Sequence, residues 1–269
     1  MIHDVRTGED RQIYASDDHF EAPNWSPCGR YLVINQEGML YRVSLSDPKP
    51  EMIDTGPHTK LNNDHGISPD GETYVFSDKV EDGNSCIYTV PATEGTPKRI
   101  TRHTPSYWHG WSPDGAILTY TARRNGAFDI YTIPASGGDE TQLTRDMGHC
   151  DGPDYTPDGA WIWFNADKSG SAQLWRMRPD GSDLQQMTDD NRVNWFPHPS
   201  PSGEMLVYLS YPTGTLGHPG DLDVELRLMS PEGGAPRTIV ALFGGQGTIN
   251  VPSWSPDSHN FAYVRYAKD

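Results

Sequence analysis

Two histidines, His65 and His109, each lie three residues before a Ser-Pro-Asp-Gly turn, in neighbouring copies of a sequence repeat. Because the imidazole pKa lies near neutrality, either ring is a candidate general base. Tyr107 and Asp151 share another position of the repeat, 44 residues apart. In a reaction Tyr107 would donate a proton and Asp151 would orient the base. These four residues are the predicted catalytic set.

The residues around this set differ from copy to copy, whereas a repeat that served only as a scaffold would need no such mixture. Carboxylate, amide, imidazole and indole groups together suit a small polyhydroxylated ligand, because polar groups bond its hydroxyls and aromatic faces cover a sugar ring. Two alternatives stay open, namely a protein partner and polar residues that only hold ordered water. The predicted ligand-binding residues are Glu21, Asn62, Asn63, Trp108, Trp195, His198, Gln246 and Asn250.

The same column offers ligands for a divalent metal. Imidazole and amide groups suit Mn, Zn or Fe(II). The predicted metal donors are His65, His109, His198 and Gln246.

Six copies of a Ser/Thr-Pro turn, mostly continuing as Asp-Gly, organise the chain. Their prolines are 42, 44, 44, 44 and 55 residues apart. Proline presets φ at the first turn position, Asp bonds its own backbone, and Gly supplies a positive φ. The copies begin at Ser26, Ser68, Ser112, Thr156, Ser200 and Ser255.

Short alternating apolar runs follow each turn, such as 117–120 and 130–133. With the run ahead of the turn and the last run ending near Leu-Thr, a copy holds four strands. Four strands in about 44 residues, repeated six times, predict an all-β, six-bladed β-propeller with four-stranded blades. The predicted blades of this single domain, 1–269, are 15–56, 57–102, 103–145, 146–189, 190–243, and 244–269 with 1–14.

The two ends of the chain complement each other. The sixth copy contains only two runs, 251–254 and 260–266. Segments 2–8 and 12–14 match the third and fourth strands of the other copies. They are predicted to complete the last blade and close the ring, which removes an open sheet edge.

The repeat resembles that of the TolB-like propellers, also called the PD40 or WD40-like repeat. The resemblance lies in Trp-Ser-Pro-Asp-Gly, Ile-Tyr, Gly-Gly and Leu-Thr, as at 111–115, 130–131, 137–138 and 143–144, and covers nearly the whole chain. It implies a stand-alone bacterial TolB-like protein and, as in TolB itself, a protein-interaction module without catalysis.

The resemblance extends more distantly to the oligogalacturonate lyases. Those enzymes hold a metal in the propeller channel through three His and one Gln and cleave uronides by β-elimination. This implies a carbohydrate lyase or hydrolase that uses His as its general base. The spacing of His and Gln here differs from that family's closely spaced cluster near the C-terminus.

The fifth copy is longer than the others. Its extra residues fall at 212–221, between the second and third strands, and near 241–248. Long loops at a propeller face often bind or cover ligands. His218, Asp221 and Asp223 are therefore expected to reach the channel mouth.

Charge and composition exclude several classes of partner. The net charge is −16 and the longest basic cluster is Arg123-Arg124, which disfavours nucleic acid and anionic membranes. No apolar run approaches the ~20 residues of a membrane span. Three scattered cysteines fit a reducing compartment. Since no apolar segment follows Met1, a cytoplasmic location is expected, or a periplasmic one if an export signal was removed.

Overall fold

All regular elements that the structure describes are β-strands. The computed structural model describes residues 1–79 and 82–268. Within these residues there is no helix long and apolar enough to cross a membrane. In chain order the strands are β1 (Ile2–Asp4), β2 (Asp10–Arg11), β3 (Phe20–Trp25), β4 (Tyr31–Gln36), β5 (Met39–Ser44), β6 (Pro50–Met52), β7 (Leu61–Ile67), β8 (Thr73–Lys79), β9 (Ser85–Pro91), β10 (Lys98–Arg99), β11 (Ser106–Trp111), β12 (Ile117–Arg124), β13 (Ala127–Pro134), β14 (Thr141–Gln142), β15 (Cys150–Tyr155), β16 (Ile162–Ala166), β17 (Gln173–Met177), β18 (Gln185–Gln186), β19 (Val193–Pro199), β20 (Leu206–Tyr211), β21 (Leu222–Met229), β22 (Arg237–Gly244) and β23 (Asn260–Ala262).

The strands form six antiparallel sheets arranged as the blades of a propeller. Five sheets have four strands in chain order, β3–β6, β7–β10, β11–β14, β15–β18 and β19–β22. The sixth has the order β2-β1-β23, and an isolated bridge between Trp254 and Phe261 marks its innermost strand. The predicted six-bladed propeller is confirmed.

The ring closes through both ends of the chain, as predicted. In the register of β1 and β23, Ile2 lies opposite Ala262 and Asp4 opposite Asn260. The outermost strand of this blade is β2 rather than the predicted 12–14. The register of β1 and β2 pairs Ile2 with Arg11 and His3 with Asp10.

The repeated turns fix the inner ends of the strands. In the third blade, the Ser112 hydroxyl donates to Asp114 at 2.5 Å and accepts the Ile117 amide at 2.9 Å. Gly115 completes this turn with φ of 71°, a conformation that only glycine adopts without strain. Each inner strand therefore ends at a defined point, and its start lies at the opposite end of the channel.

The blades pack through apolar faces that alternate along each strand. Tyr120 and Leu118 on β12, for example, are fully buried with Trp108 in one interblade cluster. Because the blades pack side by side, the first residues of the inner strands face the channel. Apolar packing does not restrict which residue types can occupy these positions.

Candidate functional site

A cavity of about 460 Å³ lies where the inner strands begin, and we call it the polar mouth. Its walls come from the inner strands, the β12–β13 hairpin and two connecting segments of the fifth and sixth blades. The lining residues are Glu21, Asn62, Asn63, Asp64, Tyr107, His109, Thr121, Phe128, His149, Asp151, Phe196, His218, Gln246 and Asn250.

Bulges in the inner strands direct several of these side chains into the cavity. In β7, Leu61 pairs with Asp78 and His65 with Phe76, so residues 62–64 bulge out opposite a single partner residue. In β11, Trp108 pairs with Tyr120 and Gly110 with Thr119, which leaves His109 as the extra residue. Bulges re-aim side chains and recur beside functional sites.

A chain of ionisable groups crosses the polar mouth. His109 Nε2 lies 3.0 Å from Asp151 Oδ1 and 4.0 Å from Asp64 Oδ1. The other carboxylate oxygen of Asp151 lies 3.5 Å from His218 Nε2. His218 reaches the site from the long loop of the fifth blade and contacts the Gln246 amide oxygen through Nδ1. Five segments of the ring thus meet in one network.

The network perturbs the pKa values of its members. Burial would lower the pKa of His109, but the Asp151 carboxylate and then Asp64 raise it to about 8. Burial opposes ionisation of Asp151, yet His109 and His218 hold its pKa well below the usual range. The pKa of His218 is raised, since Asp151 outweighs the effect of burial. At neutral pH the site holds an imidazolium beside a carboxylate.

Asp64 is the least compensated carboxylate of the network. Its side chain accepts a 2.5 Å hydrogen bond from the Asn62 amide, and its nearest cationic group is His109 at 4.0 Å. Burial, partly offset by His109, raises the pKa of Asp64 to about 6.

Two almost fully buried amides face the cavity with hydrogen-bonding groups that no described residue uses. Asn63 is 4% exposed, and its side chain has no partner within residues 1–79 and 82–268. Asn250 is 1% exposed; its Oδ1 accepts the Gly247 amide at 2.7 Å, but its Nδ2 has no partner in the same part of the chain. Buried polar groups are almost always paired, so these two point to a molecule in the cavity, either solvent or ligand.

Aromatic rings close one side of the polar mouth. Phe196 stacks on His109 with ring centroids 5.9 Å apart and meets His218 edge-on at 5.1 Å. Phe128 stacks on His149 at 4.6 Å. The site therefore combines an apolar wall with a polar floor.

Eight of the twelve predicted site residues line the polar mouth together, namely Glu21, Asn62, Asn63, Tyr107, His109, Asp151, Gln246 and Asn250. From the long loop only His218 arrives; Asp221 and Asp223 do not line it. The other lining residues, Asp64, Thr121, Phe128, His149 and Phe196, were not among the predicted site residues. Thr121 and Phe128 flank the β12–β13 hairpin. The sequence places this hairpin on the same face as the strand starts, and that position could have indicated both residues.

Four predicted residues lie outside the cavity lining, with their side chains buried in the interior of the propeller. His65 is fully buried with Nε2 3.2 Å from the Val33 carbonyl oxygen, and burial lowers its pKa to about 4. His198 is bonded through Nδ1 to Asp154 at 3.1 Å and through Nε2 to the Ile249 carbonyl oxygen at 2.8 Å. Both imidazoles serve the interior.

The two predicted tryptophans are also placed away from the cavity lining. Trp108 packs directly over Gly66, where an added Cβ would lie 2.1 Å from the ring, and it faces the other end of the channel. Trp195 is 3% exposed and packs behind the site. Its ring centroid lies 4.5 Å from that of His218 and 5.8 Å from that of His149. Its role is to support the two histidines.

The predicted metal donors do not meet. His65 through Nε2 and His198 through both ring nitrogens are bonded in the interior, whereas His109 and Gln246 line the polar mouth. In the described part of the chain, no group of three or more His, Cys, Asp or Glu side chains is arranged to hold a metal ion. The geometry of these residues does not support the predicted metal set.

The known proteins that this chain resembles are β-propellers with the same type of repeat. Residues 108–227 match the TolB β-propeller domain family, PD40. The chain is 54% identical over 266 residues to an uncharacterized protein of Agrobacterium fabrum, covering 98% of this chain and 91% of that protein. It is 27% identical over 249 residues to the Tol-Pal system protein TolB of Francisella tularensis, covering 90% of this chain and 55% of TolB. It thus spans about half the length of that TolB.

Solved structures agree. A protein of Agrobacterium tumefaciens described as a TolB candidate superposes with a TM-score of 0.97 at 54% identity, covering all of this chain and 97% of that one. An oligogalacturonate lyase in complex with manganese superposes with a TM-score of 0.59 at 15% identity, covering 86% of this chain and 69% of that one, which shows the shared fold alone. The chain belongs to the TolB-like family of PD40 β-propellers.

Proposed function

We propose that this propeller binds a small polyhydroxylated, carbohydrate-like ligand in the polar mouth. The observation that carries the proposal is the pair of buried amides, Asn63 and Asn250, whose free hydrogen-bonding groups face the cavity. These amide groups are open to the cavity, where ligand hydroxyls can both donate to and accept from them.

The dimensions and walls of the polar mouth fit this ligand class. Its volume of about 460 Å³ lies within the range of small-molecule sites. Phe128 and Phe196 offer apolar faces to a sugar ring, and Tyr107 adds a hydroxyl at the rim. The fourteen lining residues include neither Lys nor Arg, so a neutral or cationic ligand is favoured over a uronate.

Binding is the activity that the geometry supports best, because neither basic group is free. His109, with a pKa of about 8, is largely protonated at pH 7 and would donate a proton rather than accept one. Asp151 already forms ion pairs with His109 at 3.0 Å and His218 at 3.5 Å and accepts the Gly152 amide. A lyase or hydrolase with His109 as general base would first require that network to rearrange.

Isothermal titration of the purified protein with glucose, galactose, N-acetylglucosamine, glucosamine and galacturonate tests the proposal. At least one neutral or amino sugar should bind. Asn63→Ala should weaken that binding about 10- to 100-fold, through loss of one or two hydrogen bonds. The matched control is Asn191→Ala, at an exposed position outside the cavity. Absence of binding to every sugar, or equal affinities of Asn63→Ala and wild type, would contradict the proposal.

A second candidate is a protein partner that inserts a segment into the same mouth, favoured by the 27% identity with TolB. This function predicts that Tyr107→Ala abolishes association with a purified partner while Tyr41→Ala, on the strand β5, does not. Competition separates the two candidates. A sugar that binds in the polar mouth should displace the partner, whereas a partner bound elsewhere should be unaffected.

A further inference from the structure

The carboxylates of the polar mouth differ in how completely the protein neutralises them. Asp151 lies between two imidazoles, at 3.0 Å from His109 and 3.5 Å from His218. Glu21 lies 2.9 Å from His19 Nε2 at the rim. Among the described residues, only the neutral Asn62 amide is a close side-chain donor to Asp64. One carboxylate thus lacks a cationic partner of its own.

The uncompensated charge of Asp64 matters because this side chain lies at the cavity and is shielded from solvent. Its side chain lines the cavity, yet the residue is only 5% exposed, so little solvent screens its charge. The one imidazolium within 4.0 Å, His109, is already committed to Asp151 at a shorter distance. The raised pKa of Asp64 agrees with a carboxylate whose charge is insufficiently compensated.

We propose that the ligand of the polar mouth carries a protonated amino group, as an amino sugar does, and that the Asp64 carboxylate is the partner of this group. The inference rests on the proposed function and narrows its substrate class. An ammonium group offers three N–H donors, which the carboxylate of Asp64 and the amide oxygen of the adjoining Asn63 can accept. The net charge of −16 attracts such a cation from solution.

The amino group is a better match than a metal ion. A divalent cation needs several converging oxygen or nitrogen ligands, and the described residues contain no such group. An ammonium needs one carboxylate and neutral acceptors, which is what Asp64 and its neighbours provide.

The experiment compares glucosamine with glucose and N-acetylglucosamine by isothermal titration at pH 7.5, with and without EDTA. Wild type should bind glucosamine at least tenfold more tightly than the two sugars without an amine. Asp64→Asn should lose that preference, so that glucosamine and glucose bind the variant with similar affinities. Asp139→Asn, at an exposed aspartate outside the cavity, is the matched control and should behave as wild type. Thermal unfolding of each variant confirms that it is folded.

The possible outcomes distinguish the role of the amino group from the proposed binding of a sugar. If neutral sugars bind and glucosamine has no advantage, or if Asp64→Asn retains the advantage, the role of the amine is wrong and the proposed function stands. If EDTA abolishes the preference, a metal ion and not Asp64 selects the ligand, and the inference is wrong. If no sugar binds, both are overturned.

Discussion

The two ends of the propeller channel are built from the same six repeats but differ in chemistry. At one end, which we call the turn end, a cavity of about 360 Å³ is lined by the prolines of all six turns and by Trp25, Trp111, Tyr155 and Trp254. At the polar mouth the blades contribute carboxylate, amide, imidazole and phenyl groups in combinations that differ from blade to blade. Both ends lie on the same inner strands, a few residues apart.

The difference shows which positions the fold constrains and which can vary with function. Every turn must reverse the chain after an inner strand, and in all six the Ser or Thr hydroxyl accepts the amide five residues on. Ser68, Ser112 and Ser255 also donate to an Asp two residues on. No such backbone requirement acts at the strand starts. Substitutions at the turn end should therefore affect stability, and those at the polar mouth mainly binding.

The largest effect is expected at the turn end, for Trp254→Ala. The indole donates to the His198 carbonyl oxygen at 2.9 Å and packs edge-on against Phe261 at 5.5 Å, next to the bridge that closes the ring. Loss of this buried ring should lower the free energy of unfolding by about 3–5 kcal/mol in urea titrations. Leu216→Ala, at a side chain 90% exposed, is the control and should stay within about 0.5 kcal/mol. A small effect of Trp254→Ala on the free energy of unfolding would contradict the view that the turn end mainly determines stability.

At the polar mouth, Asp64→Asn should stabilise the protein. The folded state raises the pKa of Asp64 from 3.8 to about 6, so the ionised carboxylate opposes folding above that window. The neutral amide should raise the free energy of unfolding at pH 7.5 by about 1–3 kcal/mol, and the gain should vanish near pH 4. His109, Asp151 and His218 also face this group, and because Asp64 helps to raise the pKa of His109, the variant should also lower that pKa. Destabilisation at pH 7.5 would assign Asp64 a structural role.

The pH dependence of stability tests the His109 and Asp151 pair. Because the folded pKa of His109 is about 8 against 6.5 when unfolded, its contribution is fully present below pH 6.5 and is lost as pH rises through 8. Between pH 6.5 and 9 wild type should lose about 2 kcal/mol more than His109→Gln, measured by urea unfolding. Equal losses would show that the imidazolium does not form. Below this range, protonation of Asp151 should destabilise the protein only in strong acid, since its pKa is depressed.

The smallest effects concern the repeated turns. Ser68→Ala, Ser112→Ala and Ser255→Ala each remove two hydrogen bonds of the same geometry. Each should lower the free energy of unfolding by about 1 kcal/mol, with sugar affinity unchanged. Values that differ between the three by more than about 1 kcal/mol would show that the turns are not energetically equivalent.

Much of the molecule follows from the sequence because its signals are local. The Ser/Thr-Pro turns at a spacing of about 44 residues predict the blades, and the match of residues 2–8 to an internal third strand predicts the closure. Aligning the copies also predicts which strand starts face the channel, including those of Glu21, Asn63, Tyr107 and Asp151. These predictions require only that equivalent positions occupy equivalent places.

The choice between His65 and His109 was decided by the tertiary structure. Both stand three residues before their turns, yet His65 pairs with Phe76 and is buried, whereas His109 is the bulged residue and enters the polar mouth. The location of a bulge depends on how a strand fits its neighbours, which no local pattern records. The contact of His218 with Asp151, across two blades, likewise exists only once the ring has closed. The sequence determined the ring and the face of the site; packing between strands determined which side chains the site contains.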